Sequence, residues 1–158
     1  MTNSPESKLR RGSRARFWDT SAIIQVYHGL AKDHRKALGL WSGPRSKGVE
    51  QITSALVAIE AVRRIHIVSP ECAADLRIAL KRMWRVPVDD QVLPIGYALA
   101  QRRGEASGAD RAIVACAMWI ARQIHTQIEF VTSDASQAEM AGEHAAEELE
   151  VIQLNPGL

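Results

Sequence analysis

The sequence predicts an α/β fold built on a mostly parallel sheet, and three observations carry that prediction. Short apolar runs suited to strands alternate with longer amphipathic runs suited to helices, from residue 15 to near the end of the chain. Capping and breaking residues separate the runs. The chain has 158 residues, 46% hydrophobic and 24% charged, which suits one globular domain with its own core. The same figures exclude a disordered chain, a collagen-like repeat and a coiled-coil rod. Parallel strands joined in this way take right-handed crossovers.

Taken in order, residues 15–18 (Ala-Arg-Phe-Trp) suit a first strand that runs into Asp19. Ile23, Ile24, Val26, Tyr27 and Leu30 then fall at helical spacing over 20–30. A second helical piece covers 33–41 and stops at the breaker Ser-Gly-Pro, 42–44. Residues 49–53 suit a strand, and 54–66 a helix with Ala55, Leu56, Ile59 and Val62 on one side. Ser69-Pro70-Glu71 starts a helix that the pattern carries to about Arg85, since Pro is tolerated in a first turn. Residues 86–88 (Val-Pro-Val) are strand-like, and Asp89-Asp90 opens a helix to about Arg103, ended by Gly104. Ser107 and Asp110 form a Ser-x-x-acid capping pattern before the strongest apolar stripe, Ile113, Val114, Ala117, Met118 and Ala121. Residues 128–132 are the clearest strand, 134–149 a helix and 151–154 a last strand.

Residues 1–14 are polar, basic and without periodicity, and read as a disordered basic extension. The net charge of +2 conceals an uneven distribution. The first 16 residues carry +4, residues 134–150 carry −6 with no Lys or Arg, and the middle is again basic. Cys72 and Cys116 lie far apart without zinc spacing, and read as small residues of a reducing compartment. No apolar run is long enough to span a membrane and no signal-like segment appears, so a cytoplasmic location is expected. The five histidines show no HxxxH or HExxH spacing, and the four tryptophans stand singly.

Four acids break the local apolar pattern. Asp19 ends the first strand and Asp134 follows the fourth, so both belong at the carboxyl edge of the sheet, where α/β folds bind ligands. Asp110 heads the apolar stripe of its helix, and Glu60 lies at the margin of another. Asp110 and Asp134 each also suit a helix-start acid, and Glu60 an ion pair with Arg63 or Arg64. Gathered together, the four would repel and raise one another's pKa unless something positive offset them. A hard divalent cation with oxygen ligands, Mg²⁺ or Mn²⁺, is the natural candidate. Such an ion polarises a phosphoryl oxygen and activates water, which suits phosphodiester hydrolysis.

These segments resemble those of PIN-domain nucleases. Asp19-Thr-Ser-Ala resembles the family's opening motif, and residues 53–60 (Thr-Ser-Ala-Leu-Val-Ala-Ile-Glu) its second block. Residues 109–117 (Ala-Asp-Arg-Ala-Ile-Val-Ala-Cys-Ala) are similar to the third, and 130–134 (Phe-Val-Thr-Ser-Asp) to the fourth. The blocks occur in the family's order across residues 15–154. The resemblance implies a three-layer α/β/α sandwich and a single PIN-like nuclease domain over 15–158. It implies a metal-dependent endoribonuclease, most similar to VapC-type toxins of type II toxin–antitoxin pairs, with a small antitoxin partner and a homodimer. It places Asp19, Glu60, Asp110 and Asp134 as the catalytic, metal-binding quartet, Asp134 acting directly or through water. Ser21 and Thr132 take the hydroxyl positions beside it. Arg111, adjoining Asp110, is the expected substrate contact. The alternative is a PIN-like module that binds RNA or protein without cutting. No second Asp follows Asp19 at the Asp-x-Asp spacing of haloacid-dehalogenase phosphatases.

Overall fold

The computed structural model describes residues 9–156. Five strands form its centre: β1 (Ala15–Trp18), β2 (Glu50–Ser54), β3 (Trp84–Val86), β4 (Ile128–Thr132) and β5 (Leu149–Gln153). All four pairings are parallel, in the order β3-β2-β1-β4-β5. Seven α-helices cover the sheet: α1 (Thr20–Tyr27), α2 (His34–Trp41), α3 (Ala55–Val68), α4 (Pro70–Lys81), α5 (Leu93–Ala100), α6 (Gly108–Ile124) and α7 (Ala135–His144). The result is the expected α/β/α sandwich.

β1 is central because it tolerates burial on both faces, and all four of its residues are buried. Phe17 stands opposite Ile52 on one side and Phe130 on the other. The Phe17 and Phe130 rings stack at 5.7 Å. Trp18 meets Trp41 edge to face at 4.9 Å, and Trp84 meets Trp119. Arg16 is the exception within β1. Its Nε contacts Glu129 Oε2 at 2.5 Å, and its guanidinium donates to the carbonyls of Leu40 and Arg45. A buried cation persists only with such partners.

The strand-to-helix turns at the carboxyl edge close on caps. Asp19 caps α1, Ser54 caps α3 and Asp134 caps α7, each oxygen taking a backbone N–H that the first helical turn leaves unpaired. β1 leads to β2 and β3 on one side and adjoins β4 and β5 on the other. The switch point of the sheet therefore lies between the carboxyl ends of β1 and β4, beside Asp19 and Asp134.

Several boundaries differ from expectation. The helix from Pro70 ends at Lys81, and β3 starts at Trp84 rather than 86, because β2 ends at Ser54, which pairs with Val86. α5 starts only at Leu93, since the Asp89 carboxylate first accepts N–H bonds from Gln91 and Val92 in a turn. α7 stops at His144, and β5 starts at Leu149 opposite Ile128. Residues 9–14 of the expected basic extension make contacts with the rest of the fold. Leu9 packs against the core, Gly12 (φ 80°) donates to the Ile124 carbonyl at 3.0 Å, and the Arg14 carbonyl accepts from Glu50. Residues 1–8 lie outside the described residues. Cys72 and Cys116 are free thiols, and burial pushes the Cys116 thiol up to about 12. Among the described residues no helix is long and apolar enough to cross a membrane.

Candidate active site

Asp19 is the centre of the carboxyl edge. Its backbone N–H continues the β1–β4 ladder to the Val131 carbonyl at 3.0 Å, so the sheet itself fixes its place. Its Oδ1 accepts from the Thr20 N–H at 2.8 Å and its Oδ2 from the Thr132 hydroxyl at 2.7 Å. Ser21 Oγ stands 3.4 Å from Oδ2 and 3.3 Å from Thr132 Oγ1, and accepts from the Ser133 N–H at 2.9 Å. The ends of β1 and β4 are thus joined by two hydroxyls around one carboxylate. Thr53 Oγ1 ties in β2 by donating to the Trp18 carbonyl at 2.7 Å.

Only 4% of Asp19 is exposed. Burial is the main reason its pKa is raised, opposed by the hydrogen bonds from Thr132 and Thr20. The charges of Asp110 and Asp134 raise it further. Two of the other three expected acids thus bear on Asp19 at this edge.

Asp134 spends Oδ1 on the first turn of α7, accepting from Ser136 N–H (2.9 Å), Ser136 Oγ (2.8 Å) and Gln137 N–H (3.2 Å). Its own N–H donates to Thr132 Oγ1 at 3.0 Å, so Thr132 touches both acids. Asp110 sits in a capping box. Its N–H donates to Ser107 Oγ at 3.1 Å, and its Oδ2 accepts from the Ser107 N–H at 3.3 Å. In both acids the other carboxylate oxygen accepts no hydrogen bond from the described residues.

Glu60 stands apart. Its side chain is 47% exposed on α3, and it pairs with Arg63 at 3.5 Å. Its charge is not among those acting on Asp19. Among the described residues no group of three acids, histidines or cysteines stands close enough to enclose a cation. The donor set still fits a hard cation in kind: all oxygen, with the charges of Asp110 and Asp134 bearing on Asp19 and one oxygen each of Asp110 and Asp134 uncommitted.

Arg111 is a correction. It is 6% exposed, and its guanidinium donates to the carbonyls of Leu99, Gly104 and Ala106, so its donors are spent within the fold rather than offered to a substrate. Gln137, which the sequence analysis did not single out, is fully buried beside Asp19. Its Nε2 lies 3.5 Å from Asp19 Oδ1, and its Oε1 is buried without a partner. The available signal was its place three residues after a capping acid, where a helix turns back toward its own cap.

This arrangement, a parallel sheet with order reversing beside a buried aspartate, defines the class. The chain belongs to the PIN domain family, whose model matches residues 16–143. Among solved structures it is similar to VapC20 of Mycobacterium tuberculosis, a sarcin–ricin-loop-cleaving toxin. That match has 20% identity and a TM-score of 0.62, over 89% of this chain and 99% of that one. It is also similar to VapBC2 of Rickettsia felis, solved bound to a DNA fragment from its promoter (14%, TM-score 0.62, 88% and 99%). DNA-bound VapBC of Salmonella typhimurium is a third (14%, TM-score 0.58, 87% and 98%). At these identities the likeness is one of fold. No curated protein matches the chain in sequence.

Proposed function

We propose that this protein is a Mg²⁺- or Mn²⁺-dependent endoribonuclease and the toxin of a type II toxin–antitoxin pair. The observation that carries the reading is the buried Asp19 carboxylate, held by Thr132 and Thr20 and crowded by the charges of Asp110 and Asp134. A fold keeps such a repulsive set where a cation relieves it. Asp19, Asp110 and Asp134 are the residues that hold the ion, Asp134 directly or through water. Glu60 is the outer member, since its exposed pairing with Arg63 is cheaply exchanged. A divalent ion held there supplies Lewis-acid polarisation of a phosphoryl oxygen and an acidified water. Thr132 and Ser21 keep the Asp19 carboxylate turned toward the edge.

Family membership supports a nuclease, and the VapC likeness supports a toxin partnered by a small antitoxin. Exposed Leu56, Ile59, Ile67 and Val68 on α3, with Ile78 on α4, support a protein partner or a second copy covering this face. The test is cleavage of RNA by the purified chain with Mg²⁺ or Mn²⁺, leaving 5′-phosphate and 3′-hydroxyl ends. EDTA should stop it and Asp110→Asn should slow it severely. Cleavage unaffected by either sinks the reading.

One observation favours a second reading, a PIN-like module that binds RNA or protein without cutting: no three acids enclose a cation among the described residues. Calorimetry with Mn²⁺ separates the two. A non-cleaving module shows no binding that depends on Asp19.

A further inference from the structure

We propose that Arg111 is a positioning residue for Asp110: it fixes the α5–α6 loop that sets the Asp110 carboxylate, and it does so without touching substrate. The inference rests on the nuclease reading above. Residues 101–107 are a polar, largely exposed connection between α5 and α6. Such a loop makes few apolar contacts to hold it. Arg111 supplies the hold from the core side. Its Nη1 donates to the Leu99 carbonyl at 2.5 Å, its Nη2 to that of Gly104 at 3.1 Å and its Nε to that of Ala106 at 3.0 Å. One guanidinium thus grips the end of α5, the middle of the loop and the residue just before Ser107.

Gly104 makes the grip possible. Its φ of 144° is a conformation that side-chain-bearing residues rarely adopt. The grip ends where the capping box starts, and the capping box decides how Asp110 is turned. With Ser107 N–H on Oδ2, the other oxygen stays uncommitted. If Ser107 drifts, the box opens and Asp110 loses its fixed rotamer.

Arg16 supplies the contrast. It is also buried but has a carboxylate partner, Glu129, and lies within β1 rather than beside the acids. Arg111 forms no ion pair among the described residues. A cation buried on carbonyl oxygens alone is costly, and it stands next in sequence to an acid of the site.

The experiment is titration of the full chain with Mn²⁺ alone, reading free Mn²⁺ by electron paramagnetic resonance, with circular dichroism to check folding. Arg111→Lys keeps the charge but not the three-carbonyl fork. It is expected to bind Mn²⁺ about tenfold more weakly, as when the support of a metal ligand is removed. In RNA cleavage it is expected to lower kcat with KM unchanged. Arg16→Met is expected to lose stability while keeping its Mn²⁺ affinity. If Arg111→Lys does not fold, Gly104→Ala loosens the same loop with Arg111 intact, and the same weakening is expected. Mn²⁺ affinity like wild type in the folded variant overturns the inference, as does a rise in KM alone, which would mark a substrate contact. Asp110→Asn separates the two layers: if it binds Mn²⁺ like wild type, the ion-site reading itself falls.

Discussion

At the β1–β4 junction Asp19 is buried, tied to two strands and held by a hydroxyl and a backbone N–H. On α3, a helix that packs against α1, Glu60 stands half exposed with only Arg63 beside it. The same chemical group is built into the fold in one place and laid upon it in the other. The difference lies in what each acid costs. Burying Asp19 opposes folding, because its charge is desolvated and faces Asp110 and Asp134. Glu60 keeps its water and costs little. A costly acid kept in place marks where binding energy is recovered, and an inexpensive one marks where the arrangement stays adjustable.

The largest effect should come from removing the costly acid. Asp19→Asn is expected to reduce RNA cleavage by about a thousandfold, measured with saturating Mn²⁺ on a single-turnover time course. Residual activity within a few fold of wild type would erase the distinction between the two regions. Next is Thr132→Val, which removes the hydroxyl shared by Asp19 and the Asp134 N–H. It should lower stability by about 2 kcal/mol in urea melts and cleavage by about tenfold.

Glu60→Gln sharpens the comparison from the other side. If Glu60 joins the ion, the variant loses activity by about tenfold or more while its melting temperature stays put. Losses in stability without losses in rate would return Glu60 to its surface pair. Arg63→Ala should move stability by no more than about 0.5 kcal/mol, as exposed pairs do.

The smallest effect concerns pH. Folding raises the Asp19 pKa, so the folded chain binds its proton more tightly than the unfolded chain. The associated stability is present below the unfolded carboxylate value, about pH 4, and is lost as pH rises through the higher folded value. In EDTA, wild type should therefore lose stability over that rise relative to Asp19→Asn. The variant should melt about 3 °C higher at neutral pH. Adding Mn²⁺ should close the gap by stabilising wild type alone. A gap independent of both pH and metal would detach the burial of Asp19 from ion binding.

Much of this was legible in the sequence because strand alternation and caps are local signals. Asp19 and Asp134 declared themselves by following apolar strands, and the structure puts both at the switch point. Side-chain direction was less legible. Arg111 adjoins an acid in sequence, but α6 buries ten of its seventeen residues, so even its second turn begins facing the core. Glu60 sits at the margin of an apolar face, and margin positions are decided by tertiary neighbours that periodicity does not contain. Residues 9–14 have no periodicity at all, yet a glycine turn and one leucine dock them. Gln137 carries little signal in the sequence, because an amide in a first turn is an ordinary helix residue until a buried carboxylate lies beside it.

The hydrogen bond between Thr132 and Asp19 closes a span of 113 residues. Of the strands β1 is made first, and its neighbour β4 follows only after β2, β3 and the helices between them. At ordinary rates of synthesis the gap lasts roughly ten seconds. During that time the central strand has one of its two partners and Asp19 lacks the Thr132 hydroxyl. Such distant pairing is also the slow kind to form. The acidic edge therefore cannot assemble until β4 has been made, whatever the rest of the sheet has already formed.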